Sequence, residues 1–262
     1  MKRFIPFMKK EPEVAVLRLD GLIAAGRGLN DNGTGPLLEK AFGSKRAAVA
    51  LVINSPGGSP VQSALIGARI RRLADEKKIP VYAFVEDVAA SGGYWLAAAA
   101  DEIYVDQSSV IGSIGVISAS FGLTQAIEKL GVERRVYTAG KSKSQLDPFR
   151  PENPDDVARL KVLLDDIHGI FIDHVKTRRG AKLAEDDRLF TGEIWVGQKG
   201  VDVGLADHIG HLVPTMKDKF GDKVRFRRFG QKKSLISRLS ARVLGDLTHS
   251  VEERAAYAKF GL

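Results

Sequence analysis

Two strongly apolar runs in this chain end in paired glycines, and that arrangement limits the available folds more than any other feature. Val49-Ala50-Leu51-Val52-Ile53 runs into Asn54-Ser55-Pro56-Gly57-Gly58, after which a helix is predicted from Pro60 to Lys77. Val81 to Glu86 reads as a second strand, leading through Val88-Ala89-Ala90 to Ser91-Gly92-Gly93-Tyr94-Trp95, where an alanine-rich helical run begins. Strands without polar alternation are buried on both faces, and strands that alternate with helices build a parallel sheet covered on both sides. The same rhythm extends outward. Val14 to Leu19 and Ile103 to Val105 read as strands, Pro36 to Phe42 and Gly122 to Leu130 as helices, and Glu133 to Thr138 as a further strand. On the helix at 60–77, Val61, Ala64, Leu65, Ala68 and Leu73 fall on one side at helical spacing. The expected fold class is therefore α/β, repeated βα units around a parallel sheet.

Ser91 is the residue in this frame with the clearest chemical promise. A serine at a strand-to-helix turn, followed by two glycines, has an exposed hydroxyl and following amides placed to stabilise a developing oxyanion. The plain alternative is a serine that caps the helix. The Gly57-Gly58 turn supplies a second set of backbone donors at the end of a neighbouring strand, although Pro and Gly also serve ordinary turns there. Two more tight segments follow. Val110-Ile111-Gly112-Ser113-Ile114-Gly115-Val116 is one, and Gly140-Lys141-Ser142-Lys143-Ser144-Gln145-Leu146-Asp147-Pro148-Phe149 is the other.

In order and spacing these four segments resemble the signal peptide peptidase A family of Ser/Lys peptidases, within the Clp protease and crotonase superfamily, from about Val14 to Leu212. The resemblance implies Ser91 as nucleophile, Lys143 as general base and Ser113 as the hydroxyl that orients the lysine. It also implies an oxyanion hole from the amides of Gly57, Gly58 and Gly92. Lys141 fits the lysine motif less well. An ordinary lysine, with a pKa of about 10.4, is protonated at neutrality, and burial against apolar neighbours is what turns it into a base. The five histidines lie far from the four motifs in sequence: His168, His174, His208, His211 and His249. A Ser-His-Asp triad is not indicated on that ground, although triads assemble in space.

Asn153-Pro154-Asp155-Asp156 carries the signals of a helix start, and Val157, Leu160, Leu164, Ile167, Phe171 and Val175 continue it to about Thr177 as a long bracing helix. Phe190-Thr191-Gly192-Glu193 and the string from Val196 to Asp207 resemble a closing segment of the superfamily: a helix, a glycine stop and a last strand. The family resemblance further implies ring-like homo-oligomers, in which serine and lysine can come from neighbouring subunits, and peptide substrates such as signal-peptide remnants or unfolded, membrane-released peptides. No cofactor or metal is expected. There is no cysteine, no metal-ligand spacing and no Gly-x-x-x-x-Gly-Lys-Ser/Thr string for ATP.

The net charge of +8 on 262 residues is unevenly spread. Residues 1–10 hold four Lys/Arg and no acid, and residues 223–262 hold ten against three acids, so the basicity belongs to the ends. The domain expectation is a basic tail at 1–12, the peptidase domain at 13–215 and a basic extension at 216–262. The short apolar run at 4–8, broken by Pro6, fits neither a signal peptide nor a membrane span, and in this the chain departs from anchored members of the resembled family. Lys232 to Leu244 has apolar residues at helical spacing among arginines, as a helix on an anionic bilayer would, or one packed on the domain or on a neighbouring subunit. The expected location is cytoplasmic, with peripheral attachment to the inner membrane face as an option, and no nucleic-acid partner is expected. Two rival functions remain at this level: an acyl-CoA enzyme of the crotonase type, using the same double-glycine logic, and a non-catalytic oligomeric scaffold at a membrane surface.

Overall fold

A computed structural model of the chain describes residues 11–26, 28–43, 45–140, 142–230 and 253–262. The basic run at 1–10, Lys141 and the amphipathic stretch from Lys232 to Leu244 lie outside the described residues. The expected α/β architecture is present. Strands β1 (Glu13–Asp20), β2 (Ala48–Ser55), β3 (Val81–Ala90), β4 (Glu102–Val105), β5 (Val110–Gly112), β6 (Ile194–Val196), β7 (His208–Ile209) and β8 (Arg225–Phe229) form one sheet. Its order is β6-β5-β3-β2-β1-β8, with β4 on β3 and β7 on β4. Every pairing is parallel except that of β5 with β6.

Helices cover both faces, as apolar parallel strands require. On one side α1 (Asp31–Ala41), α2 (Pro60–Lys77), α3 (Gly92–Ala98) and the carboxyl half of α5 (Pro154–Arg179) close over a core that includes Leu17, Leu51, Ile53, Ile66, Leu96 and Phe171. On the other, α7 (Leu212–Phe220) packs Met216 against Val14, Val52 and Phe84. The sheet continues past the boundary expected at residue 215. β8 pairs with β1 from Glu13 to Leu17, so the folded unit includes residues up to 229. The basic composition of Arg225, Arg227 and Arg228 masked the strand: its arginines are exposed at the sheet edge, and Phe226 and Phe229 face inward.

Strand β3 positions the site by forking. Tyr82 to Val85 pair with β4, and Val88 to Ala90 pair with β5. A register shift against β2 between Ile53 and Ser55 sets Ser55 opposite Ala89. The glycine turn after β2, Ser91 after β3 and Ser113 after β5 are thereby brought to one end of the sheet.

Three local expectations differ from the structure. Of the predicted face of α2 only Leu73 is buried, whereas Val61 is 64% and Leu65 47% exposed. The face turned inward is Ser63, Ile66, Gly67, Ile70, Leu73 and Ala74. Gly67 abuts Trp95 so closely that an added methyl would lie 3.2 Å from the indole, so close approach of two helices selects the face rather than hydrophobic count. Residues 133–138 form no strand; their β-forming side chains find no neighbouring strand to pair with among the described residues. They belong to an excursion, residues 117–152, in which no described residue is buried and which includes α4 (Thr124–Lys129). The closing segment holds the expected helix α6 (Gln198–Asp202) and β7, preceded by β6, a strand too short to show alternation.

Candidate active site

Ser91 sits at the N-cap position of α3 and makes no side-chain capping hydrogen bond, which removes the plain alternative for it. Its backbone is held at φ 51°, ψ −123°, a region that a residue with a side chain adopts at a cost of about 1–3 kcal/mol. The surroundings fix it there: Ser91 N–H donates to Gly112 O at 2.9 Å, and Trp95 N–H donates to Ser91 O at 3.0 Å. Tyr94, fully buried, donates its hydroxyl to Leu205 O at 2.8 Å and so ties the serine turn to the closing segment. That segment is itself clamped to the end of α5 by the buried Arg179–Asp207 pair at 2.8 Å.

Ser91, Gly57, Gly58, Gly92 and Ser113 line one cleft of about 810 Å³. The Gly57 amide donates to the buried Ser55 Oγ at 3.2 Å, and Ser55 Oγ donates to Gly21 O at 2.7 Å. Gly58 and Gly92 lie side by side, a methyl built on Gly92 falling 3.4 Å from the Gly58 amide nitrogen. Ser113, at φ 52°, is a second residue held in the left-handed region, with its N–H donating to Glu193 O at 2.7 Å. Trp95, Ile167 and Phe171 supply an apolar wall.

Lys143 does not line this cleft. It is exposed on the excursion at 117–152, whose own packing consists of local contacts such as Arg134 with Asp147 at 3.1 Å and with the Phe149 ring. Five of the six proposed site residues are therefore together in one chain, and the sixth is apart. The same excursion and helix α5 expose large apolar side chains: Ile117, Phe121, Leu130, Val132 and Tyr137 on the excursion, Val162 and Ile170 on the helix.

Sequence distance misled in one respect. Helix α5 folds back so that His168 Nε2–H donates to Ile114 O at 3.0 Å and His174 Nε2–H to Trp95 O at 3.1 Å. Both histidines thus touch motif segments, though as braces of backbone carbonyls, and neither lines the Ser91 cleft. The His174 ring stacks on Trp95 at 4.5 Å between centroids. Burial pulls its imidazole below the ordinary histidine range, against the opposing effect of the Trp95 hydrogen bond, and nearby Arg178 lowers it further. A neutral buried histidine leaves the unfolded chain binding more protons, so this contribution is complete above about pH 6.5 and is lost as pH falls from there through the folded pKa. In His174→Gln, which keeps a neutral donor toward Trp95 O, the fall in Tm between pH 7 and pH 5 is expected to be shallower by about 2–4 °C. Parallel melting curves check this; equal slopes would remove His174 from the acid response.

An Na(+)/H(+) antiporter NhaA of Brucella melitensis is 46% identical to this chain across 100% of it, and the chain spans 39% of that protein's length. A chloroplastic serine protease SPPA of Arabidopsis thaliana is 31% identical over 76% of this chain and 31% of its own length. Among solved structures, a mutant of the membrane-bound stomatin-specific protease 1510-N matches with a TM-score of 0.52 at 14% identity, covering 85% of this chain and 100% of that one, which bears on the fold alone. The family model described as Peptidase family S49 matches residues 74–220, more than half of the chain and the whole stretch that carries Ser91, Ser113 and Lys143, so the chain belongs to peptidase family S49.

Proposed function

We propose that this chain is a serine endopeptidase that works as a homo-oligomer, with Ser91 as nucleophile and Lys143 of a neighbouring copy as general base. The observation that carries it is Ser91 itself: held in a strained turn, without a capping bond, in a cleft shared with the Gly57-Gly58 turn and Ser113. Strain kept at one polar residue beside backbone donors is what a positioned nucleophile requires.

In the proposed reaction, neutral Lys143 takes the Ser91 proton as Oγ attacks the scissile carbonyl carbon. The amides of Gly58 and Gly92 hold the oxyanion, with Gly57 shaping the turn while its own amide is engaged by Ser55. Breakage of the C–N bond sends the lysine's proton to the departing amine. Water then attacks the acyl carbon with Lys143 again as base, the ester bond to Ser91 Oγ breaks, and the proton held by the lysine returns to the serine oxygen. Ser113 orients the lysine from the cleft wall. A lysine serves as a general base only when it is buried against apolar neighbours, so the mechanism needs Lys143 covered, and the exposed apolar side chains of the same excursion are the surface a neighbouring subunit would cover.

The apolar wall of Trp95, Ile167 and Phe171 favours peptides with apolar residues near the cut, such as signal-peptide remnants or other unfolded, membrane-released peptides. We place the enzyme in the cytoplasm, with peripheral attachment to the inner membrane face as an option that the basic residues at 1–10 and 223–262 support. Among the described residues no helix is long and apolar enough to cross a membrane. The antiporter name belongs to the much longer Brucella protein and is not carried to this chain.

A serine-reactive fluorophosphonate tests the nucleophile directly. The expected adduct maps to Ser91 and disappears in Ser91→Ala. An intact, assembled protein that took up no probe would favour the scaffold reading.

A further inference from the structure

Part of the wall around Ser91 comes from far along the chain. Ala256, Lys259 and Phe260 line the same cleft as Ser91, Gly57 and Gly58. Three contacts hold their segment in place. Tyr257 donates its hydroxyl to Asn54 O at 2.8 Å. Tyr257 and Phe260, one helical turn apart, pack on Val88, Ala90 and Val110. Glu253 lies against Gly21, where an added methyl would fall 2.6 Å from its carboxylate.

The Tyr257 and Phe260 contacts fall on strands that lead into site residues, and the Glu253 contact falls just past β1. Asn54 is the penultimate residue of β2, shortly before the glycine turn, Ala90 immediately precedes Ser91, and Val110 opens the strand that leads to Ser113. Val88 and Ala90 are 0% exposed and Val110 7% with the segment seated. Burial pushes the Tyr257 phenol up to about 12, with Asp20 and Glu253 adding to it, so the hydroxyl remains a donor at any working pH. Lys259, by contrast, is exposed and, among the described residues, lines the cleft as one of two ionisable residues, with Glu193 the other.

We propose that residues 253–262 are an intramolecular ligand of the cleft, docked by Tyr257 and Phe260 across the ends of β2, β3 and β5, and that a peptide displaces this segment to reach Ser91. The docking is independent of the reaction, while the competition rests on the peptidase reading above. A site that is competent only when the segment is away has its apparent reactivity lowered by the fraction of time the segment is seated.

Two full-length variants test it: Tyr257→Phe, which removes only the hydroxyl, and the double variant Tyr257→Ala with Phe260→Ala. Hydrogen exchange read by mass spectrometry reports docking, and the rate of fluorophosphonate labelling reports access to Ser91. Exchange at residues 52–58 and 86–92 is expected to quicken in both variants, and labelling to rise by about fivefold in Tyr257→Phe and further in the double variant. Unchanged exchange would overturn the docking. Faster exchange with labelling at the wild-type rate would overturn the competition. Faster exchange with Ser91 unlabelled in every form would overturn the peptidase reading and leave the docking supported.

Discussion

Ser91→Ala and Lys143→Ala proteins, each inactive alone, are expected to recover activity when assembled together. Either change by itself should lower kcat/KM by at least about 10³-fold, since in the proposed mechanism each removes a group that moves a proton or forms a bond in the transition state. The recovery follows from geometry. Ser91, Ser113 and the glycine turns share a cleft, and Lys143 stands outside it on an excursion in which no described residue is buried. If the lysine reaches the serine of the next subunit, a ring with head-to-tail contacts contains sites in which both wild-type residues meet. In a random equal mixture about one site in four would be intact, so recovery should approach about a quarter of wild-type activity. Coexpression of the two variants, with peptide hydrolysis measured on the purified assembly, gives the answer. A mixed assembly as inactive as its parents would show that serine and lysine must come from one chain, and the excursion would then have to fold inward on binding.

The motif spacing in the sequence carries no information on which copy supplies the lysine, and this is where the sequence stops being legible. The serine turn reads clearly because its chemistry is local: a strand end, a strained residue and paired glycines are neighbours in the chain. The parallel sheet is legible for a related reason, since β2 is apolar along nearly its whole length and could only be central. Features decided by tertiary contact are hidden. The inward face of α2 depends on Gly67 meeting Trp95, and β8 reads as a basic tail until β1 is seen beside it. His168 and His174 reach the motif segments only because the long α5 returns across α3. In the same way nothing near Tyr257 announces that its hydroxyl will bond Asn54 O, a residue separated from it by most of the chain.

Gly57→Ala is expected to disable the enzyme while leaving it folded. Gly57 has φ +99°, and a methyl group there would lie 2.7 Å from Ala90 O, 2.7 Å from the Gly92 nitrogen and 2.8 Å from Ser91 Cβ. All three belong to the Ser91 turn, and none is the far end of a flexible side chain. That turn is pinned on its other side by Gly112 O and by the first turn of α3, so relief of the contact must push the glycine loop away from Ser91. A displacement of this kind moves the Gly58 amide relative to Ser91 Oγ, and loss of one oxyanion donor lowers kcat by about 10²–10³-fold. The folding penalty is smaller: strain at positive φ is worth about 1–3 kcal/mol and should appear as a drop of several degrees in Tm. Gly230→Ala, where a methyl would meet nothing within 4 Å, serves as the control and should change neither quantity. The ratio of the two effects is the informative measurement. A large loss of turnover beside a modest loss of stability identifies the Gly57-Gly58 turn as part of the chemistry. Wild-type turnover in a destabilised Gly57→Ala protein would reduce it to a structural turn and leave the oxyanion without its second donor.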